Sequence, residues 1–187
     1  MVYYNGRYEI MIGLSKDEVK LCPYDPEWAQ HYEKEKVILE KVLKGIALDI
    51  QHVGSTSITG LSAKPIIDIA VAVKDEEVMK STIDILTKAG YDVKDSIAEK
   101  GEVLARKGSP DCRTHYIHVE VIGTKKWVNH ILFRDYLRKY PEYVQQYQDI
   151  KEKLSTQFSN DRKVYTKSKN DFIEKVMILA KEEFGVK

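Results

Sequence analysis

The run PIIDIAVAV, residues 65–73, constrains this chain more than any other stretch. It is short, rich in β-branched residues and apolar at odd and even positions alike, the pattern of a strand covered on both faces. Such a strand belongs to a sheet with layers on either side, and so to an α/β (α+β) architecture. Asp68 breaks the run with a carboxylate, and burying a charge is costly unless it is paired. Either Asp68 is a structural ion-pair partner, or it meets a cation.

The surrounding pattern builds that architecture. Residues 1–18 read as two short alternating segments around Asn5-Gly6, the favoured pair for a tight hairpin turn. In LCPYDPEWAQHYEKEKVILEKVL, Asp25 can cap a helix and Pro26 can occupy its first turn. Trp28, Tyr32, Val37, Leu39, Val42 and Leu43 give that helix its apolar face, and Gly45 stops it. IALDIQHV is a first core strand. After the 65–73 strand comes a helix, KDEEVMKSTIDILTKAGY, with Val78, Ile83, Ile85 and Leu86 inward. Strands follow around 91–93, 102–105 and 113–123. From Lys125 the pattern is helical almost to the end, broken at Pro141. The expected layout is one domain over 1–187: an N-terminal hairpin extension (1–18), an α/β core (19–123) and a helical portion (124–187).

Composition narrows the partners. With 30 basic and 29 acidic residues, no global field recruits long nucleic acid or an anionic membrane. No apolar run approaches the roughly 20 residues of a spanning helix. The opening MVYYNGRYEI lacks the regions of a signal peptide. Cys22 and Cys112 form no CxxC pair, which points to reduced thiols and a cytoplasmic protein.

Three groups of residues could carry chemistry. The loop after the first core strand holds Gly54, Ser55, Thr56, Ser57, Thr59 and Gly60. Glycine lets backbone N–H groups approach an oxyanion, and hydroxyls add donors, so the loop suits phosphate. It is not a P-loop, because Leu61 follows Gly60, and taken alone it reads first as a flexible turn whose hydroxyls cap the next helix. Among the acids, strand alternation puts Asp68, Ala70 and Ala72 on one face. Tyr116, His118 and Glu120 share one face of the later strand. Set side by side, the strands would let Asp68, His118 and Glu120 converge on a divalent cation; alternatively, His118 and Glu120 occupy the wetter face of an edge strand. Among the bases, Lys64, Arg113, Arg134 and Arg138 form either a cationic rim for phosphate or ion pairs locking the helical portion to the sheet. Tyr147/Lys151 and Tyr165/Lys169 repeat a Tyr-x3-Lys spacing that reads as packing, and His31 and His130 read as surface or packing residues. His52 reads as a ligand contact or as a hydrogen-bonded structural residue.

The blocks HVGSTSITGLSAKPIIDI, RTHYIHVE, FRDYLRKYPEYVQQYQDIKEKL and YTKSKNDFI, in that order, resemble the GrpB family, identified with the nucleotidyltransferase superfamily. The resemblance runs from about residue 19 to about residue 180. It implies a polymerase-β-like nucleotidyltransferase fold, a small mixed sheet flanked by helices with a C-terminal helical portion. In that superfamily a Gly-Ser pair holds nucleotide phosphates, which carries over to Gly54 and Ser55. An Asp-x-Asp/Glu pair and a third acid hold two metals. The first acid maps to Asp68, the third to Glu120, and the second position is Ala70, which cannot bind metal. Two-metal transfer needs enough ligand charge to hold both ions together. The resemblance therefore implies one Mg²⁺ or Mn²⁺ on Asp68, Glu120 and His118, with His118 as ligand or base. The implied function is binding of a nucleoside triphosphate and transfer of a nucleotidyl group to a small-molecule acceptor. The loss at Ala70 keeps open a non-catalytic nucleotide- or phosphometabolite-binding module, and the acids keep open a metal-dependent hydrolase.

Overall fold

The computed structural model describes residues 2–4, 7–9, 12–16, 18–96, 100–159 and 161–186. Strands β1 (Val2–Tyr4) and β2 (Arg7–Glu9) pair antiparallel with Tyr4 opposite Arg7. The expected turn at Asn5-Gly6 lies outside the described residues.

Helix α1 (Glu27–Val42) begins where expected: Asp25 Oδ1 accepts the Glu27 N–H at 2.9 Å, and Pro26 stands at the N-cap. Its buried stripe is Trp28, Tyr32, Glu35 and Leu39, continued by Leu43. That spacing of three and four residues is one helical face, and Val37 lies off it, 48% exposed. Glu35 takes the inward place because later parts of the chain bring it partners. The Tyr91 hydroxyl and Lys107 Nζ each donate to it at 2.5 Å.

Five strands form the main sheet: β3 (Asp49–Val53), β4 (Ile67–Val73), β5 (Asp92–Ser96), β6 (Glu102–Ser109) and β7 (Cys112–Val121). Their order is β3-β4-β7-β6-β5, with β4 and β7 parallel and the other pairs antiparallel. A 3₁₀ turn, Ser55–Ser57, follows β3. Helix α2 (Glu76–Lys88) is capped by Asp75, whose Oδ1 accepts from the Val78 N–H at 2.9 Å. It buries Met79, Thr82 and Leu86, with Val78, Ile83 and Ile85 half-buried beside them. Helices α3 (Lys125–Lys139), α4 (Pro141–Gln157), α5 (Arg162–Lys167) and α6 (Asn170–Phe184) complete the chain.

The sheet is covered on both sides. Ile67, Ile69, Val71 and Val73 of β4 join Ile117 and Val119 of β7 in a core with α1 and α2. The other face carries Ala70 and Ala72, whose small side chains admit Trp127 of α3. A third cluster joins Ile58 and Leu61 of the β3–β4 loop to α3, α4 and α6. Every residue of β4 is buried except Asp68, which is partly so. Among the described residues no helix is long and apolar enough to cross a membrane.

Candidate functional site

The α3-facing side of the sheet collects the titratable residues. Parallel register sets Asp68 opposite Tyr116, Ala70 opposite His118 and Ala72 opposite Glu120. The expected common face therefore exists, but Glu120 lies four residues beyond Asp68's partner, about 13 Å along the strand. The residues whose ligand atoms lie within 4.8 Å of one another are His118, Glu120 and His130, and Asp68 is outside that group. The set Asp68, His118 and Glu120 is thus not gathered round one point. His118 instead stands between two carboxylates, with Nε2 3.7 Å from Asp68 Oδ1 and Nδ1 2.8 Å from Glu102 Oε2.

Charge follows from that clamp. Burial opposes the His118 imidazolium, but hydrogen bonds to Asp68 and Glu102 outweigh it and raise its pKa to about 9. Burial would raise Asp68, yet His118, and then Lys64, hold it below its ordinary value. The same opposition, with His118 and Lys126 prevailing over burial, holds Glu102 at about 2. Lys126 Nζ lies 2.8 Å from Glu102 Oε2 and 3.9 Å from Glu120 Oε1.

Asp68 looks into a cleft of about 470 Å³ between the sheet and the helical portion. Gly54 and Ser55 form part of its wall. Gly54 has φ +69°, and a Cβ there would stand 2.6 Å from Asp68 Oδ2. Glycine is what lets the loop backbone touch the carboxylate. Thr56 also lines the cleft, but its hydroxyl lies 3.0 Å from His52 Nε2. His52 itself stacks on Tyr32, and burial pushes its pKa down to about 4, as suits a neutral structural histidine.

The cationic lining differs from the expected one. Lys64 faces the cleft, joined by Lys126, Lys151, Arg162 and Lys169. Lys64 and Lys169 place their ammonium groups 5.6 and 4.6 Å from the centre of the Tyr165 ring. Lys151 lies 4.9 Å from the Tyr147 ring and donates to the Ser62 carbonyl. So the Tyr-x3-Lys pairs do pack, and both also line the cleft. Burial, and then the charges of Arg162 and Lys169, push Lys64 down to about 7. Burial likewise pushes Lys151 to about 7 and Lys169 to about 8. Among the described residues none of these three lysines forms an ion pair.

Arg113, Arg134 and Arg138 stand elsewhere. Arg113 donates to Asp92 Oδ2 at 2.5 Å and to the Gly108 carbonyl at 2.7 Å, towards the other edge of the sheet. Arg134 Nη1 donates to Gln51 Oε1 and the His52 carbonyl, at 2.8 and 3.1 Å. Arg138 donates twice to the Ser57 carbonyl, at 2.7 and 3.0 Å. Arg134 Nε also pairs with Asp135 Oδ1 at 2.7 Å, on its own helix. Across to β3 and the loop, the two arginines act as struts through amide and backbone oxygens rather than through an acid. Sequence reasoning missed Glu102 and Lys126 and set His130 aside. A helical wheel of α3 could have found Lys126 and His130, which are four apart. Glu102 depends on the register between β6 and β7 and has no local signal.

Comparison with known proteins agrees with this chain's motif order. A family model described as "GrpB protein" matches residues 18–178. The "Glutamate-rich protein GrpB" of Alkalihalophilus pseudofirmus is 36% identical over 171 residues, spanning 89% of this chain and 98% of that one. The crystal structure of conserved protein GrpB from Enterococcus faecalis superposes with TM-score 0.80 at 31% identity, covering 88% of this chain and 99% of that chain. A shorter match, 32% over 81 residues, falls within a dephospho-CoA kinase of Mycolicibacterium paratuberculosis and takes in 42% of this chain and 20% of the kinase. By the family model and by relatives matched over nearly their whole length, the chain belongs to the GrpB family.

Proposed function

We propose that the cleft binds a phosphorylated metabolite, with nucleoside triphosphates as the leading ligand class, in a nucleotidyltransferase-like, polymerase-β-related frame. The observation that carries this reading is the convergence of Lys64, Lys151 and Lys169, half-buried or buried and forming no ion pair among the described residues, on one cavity beside Gly54 and Ser55. Cations desolvated in this way gain most from a polyanion, since a low-dielectric wall strengthens their attraction to phosphate. The Gly54–Ser55 backbone adds the donors that the superfamily resemblance assigns to phosphates.

Binding without two-metal transfer is the form best supported. The second acid's position, Ala70, is fully buried beneath Trp127, and Glu120 is too far along β7 to complete a set with Asp68. The described residues do not fit a two-ion centre, and the hydrolase reading, which needs Asp68, His118 and Glu120 on one ion, lacks support for the same reason. A Mg²⁺ or Mn²⁺ in this account arrives with the phosphates, opposite Asp68. The partial likeness to a dephospho-CoA kinase is compatible with a phosphorylated ligand.

Thermal unfolding in the presence of a ligand panel tests this. Nucleoside triphosphates and inorganic triphosphate should raise the melting temperature, and unphosphorylated nucleosides should not. No shift with any phosphorylated compound would remove the proposal. Pyrophosphate release with Mg²⁺ and an acceptor would replace the binding module by the transferase.

A further inference from the structure

We propose that His118 and Glu120 of β7 and His130 of α3 form a site for a divalent first-row transition metal, separate from the phosphate contacts and independent of the function proposed above. Alternation along β7 puts His118 and Glu120 on the same face, and α3 lays His130 over them. One ligand atom from each lies within 4.8 Å of the others. Two are closer still: His130 Nε2 and Glu120 Oε1 are 3.2 Å apart. That is nearly the edge of a tetrahedron whose bonds are about 2.0–2.1 Å.

A second observation points to an ion. Glu120 is 0% exposed, and its Oε2 has no hydrogen-bond partner among the described residues. Leaving a buried carboxylate oxygen unsatisfied is costly, and native structures do so rarely. His130 faces the cleft, so the site has an entry path and an open position.

The surroundings suit a cation. Glu102 Oε2 accepts from His118 Nδ1 at 2.8 Å, an outer carboxylate that orients the imidazole. Asp68, Glu102 and Glu120 bring three carboxylates to this face against the cations Lys126 and His118, so its balance is acidic. Two imidazoles and one carboxylate favour Zn²⁺, Co²⁺, Fe²⁺ or Mn²⁺ over Mg²⁺ or Ca²⁺.

Titration of the chelator-treated protein with Co²⁺ alone tests the assignment. One Co²⁺ per chain should bind with visible d–d bands of nitrogen and oxygen coordination, without the near-ultraviolet sulfur band that Cys22 or Cys112 would add, and Zn²⁺ should displace it. His130→Ala and Glu120→Gln should each weaken binding by about tenfold or more. His130 is the more exposed of the two, so His130→Ala, verified as folded by circular dichroism, decides the matter if Glu120→Gln does not fold. Absence of stoichiometric Co²⁺ and Zn²⁺ binding, sulfur coordination, or wild-type affinity in His130→Ala would overturn the site.

Discussion

Asp68 and Gly54 share one small space, and His118 beside them lets a charged residue stand in an otherwise apolar strand. The carboxylate sits at the open end of β4, with His118 on one side and the backbone of Gly54 on the other. Gly54→Ala would put a methyl group 2.6 Å from Asp68 Oδ2 at a φ of +69°. It should lower stability by about 1–3 kcal/mol in urea unfolding and weaken triphosphate binding. Unchanged stability would mean that loop and acid are not in contact. The lysines make a second residue-scale prediction. Lys64 titrates near 7 and Lys169 near 8 in the free protein, lowered by burial and by Arg162, with Asp68 pulling the other way and the neutral Tyr165 ring between them. Both are largely protonated at pH 6 and lose that charge as pH rises through 7–8. Phosphate affinity should therefore fall over that window, and binding at pH 8 should take up protons. Calorimetry in buffers of differing ionisation enthalpy reads this directly, and zero uptake would contradict the assignment. The effect on the fold has the opposite sense. Unfolded lysines hold their protons to about 10.4, so the lowered values cost stability at neutral pH and that cost fades as pH rises.

At the scale of elements, α3 shows what local pattern can and cannot reveal. Spacing put Arg134 and Arg138 on one helical face, but phosphate rim and structural strut predict the same spacing. Only the packing of α3 across β3 separates them, since apart from Asp135 beside Arg134 the acceptors are Gln51, His52 and Ser57, more than eighty residues earlier. Arg138→Ala should lower stability by about 1–3 kcal/mol by stranding the Ser57 carbonyl. It should leave triphosphate affinity near wild type at temperatures where the variant is folded, and a selective loss of affinity without loss of stability would return Arg138 to the site. Helix α1 carries the same lesson. Its face was legible at Trp28, Tyr32 and Leu39, where apolar periodicity speaks. It was not legible at Glu35, whose burial depends on Tyr91, just before β5, and Lys107 of β6.

At the scale of the molecule, the covered strand announced a layered α/β arrangement, and its two faces do meet different layers. The sequence motifs also placed the loop and Asp68 together, because a strand, a turn and a strand are contiguous in the chain. The register of β7 on β4 was beyond reach, and it is what moves Glu120 away from Asp68 and brings His130 and Glu102 into the polar face. The cationic wall was equally hidden. Lys64 comes from the loop, but Lys151 and Lys169 come from the last helices, so the cavity exists only once the helical portion closes over the sheet. Calorimetric titration with inorganic triphosphate, comparing wild type with a folded Lys64→Ala/Lys169→Ala variant, tests the central claim most directly. Removing two charge-assisted contacts of about 1.5–3 kcal/mol each should weaken binding roughly a hundredfold or more. Equal affinity in the two proteins, or no binding by wild type, would contradict the account.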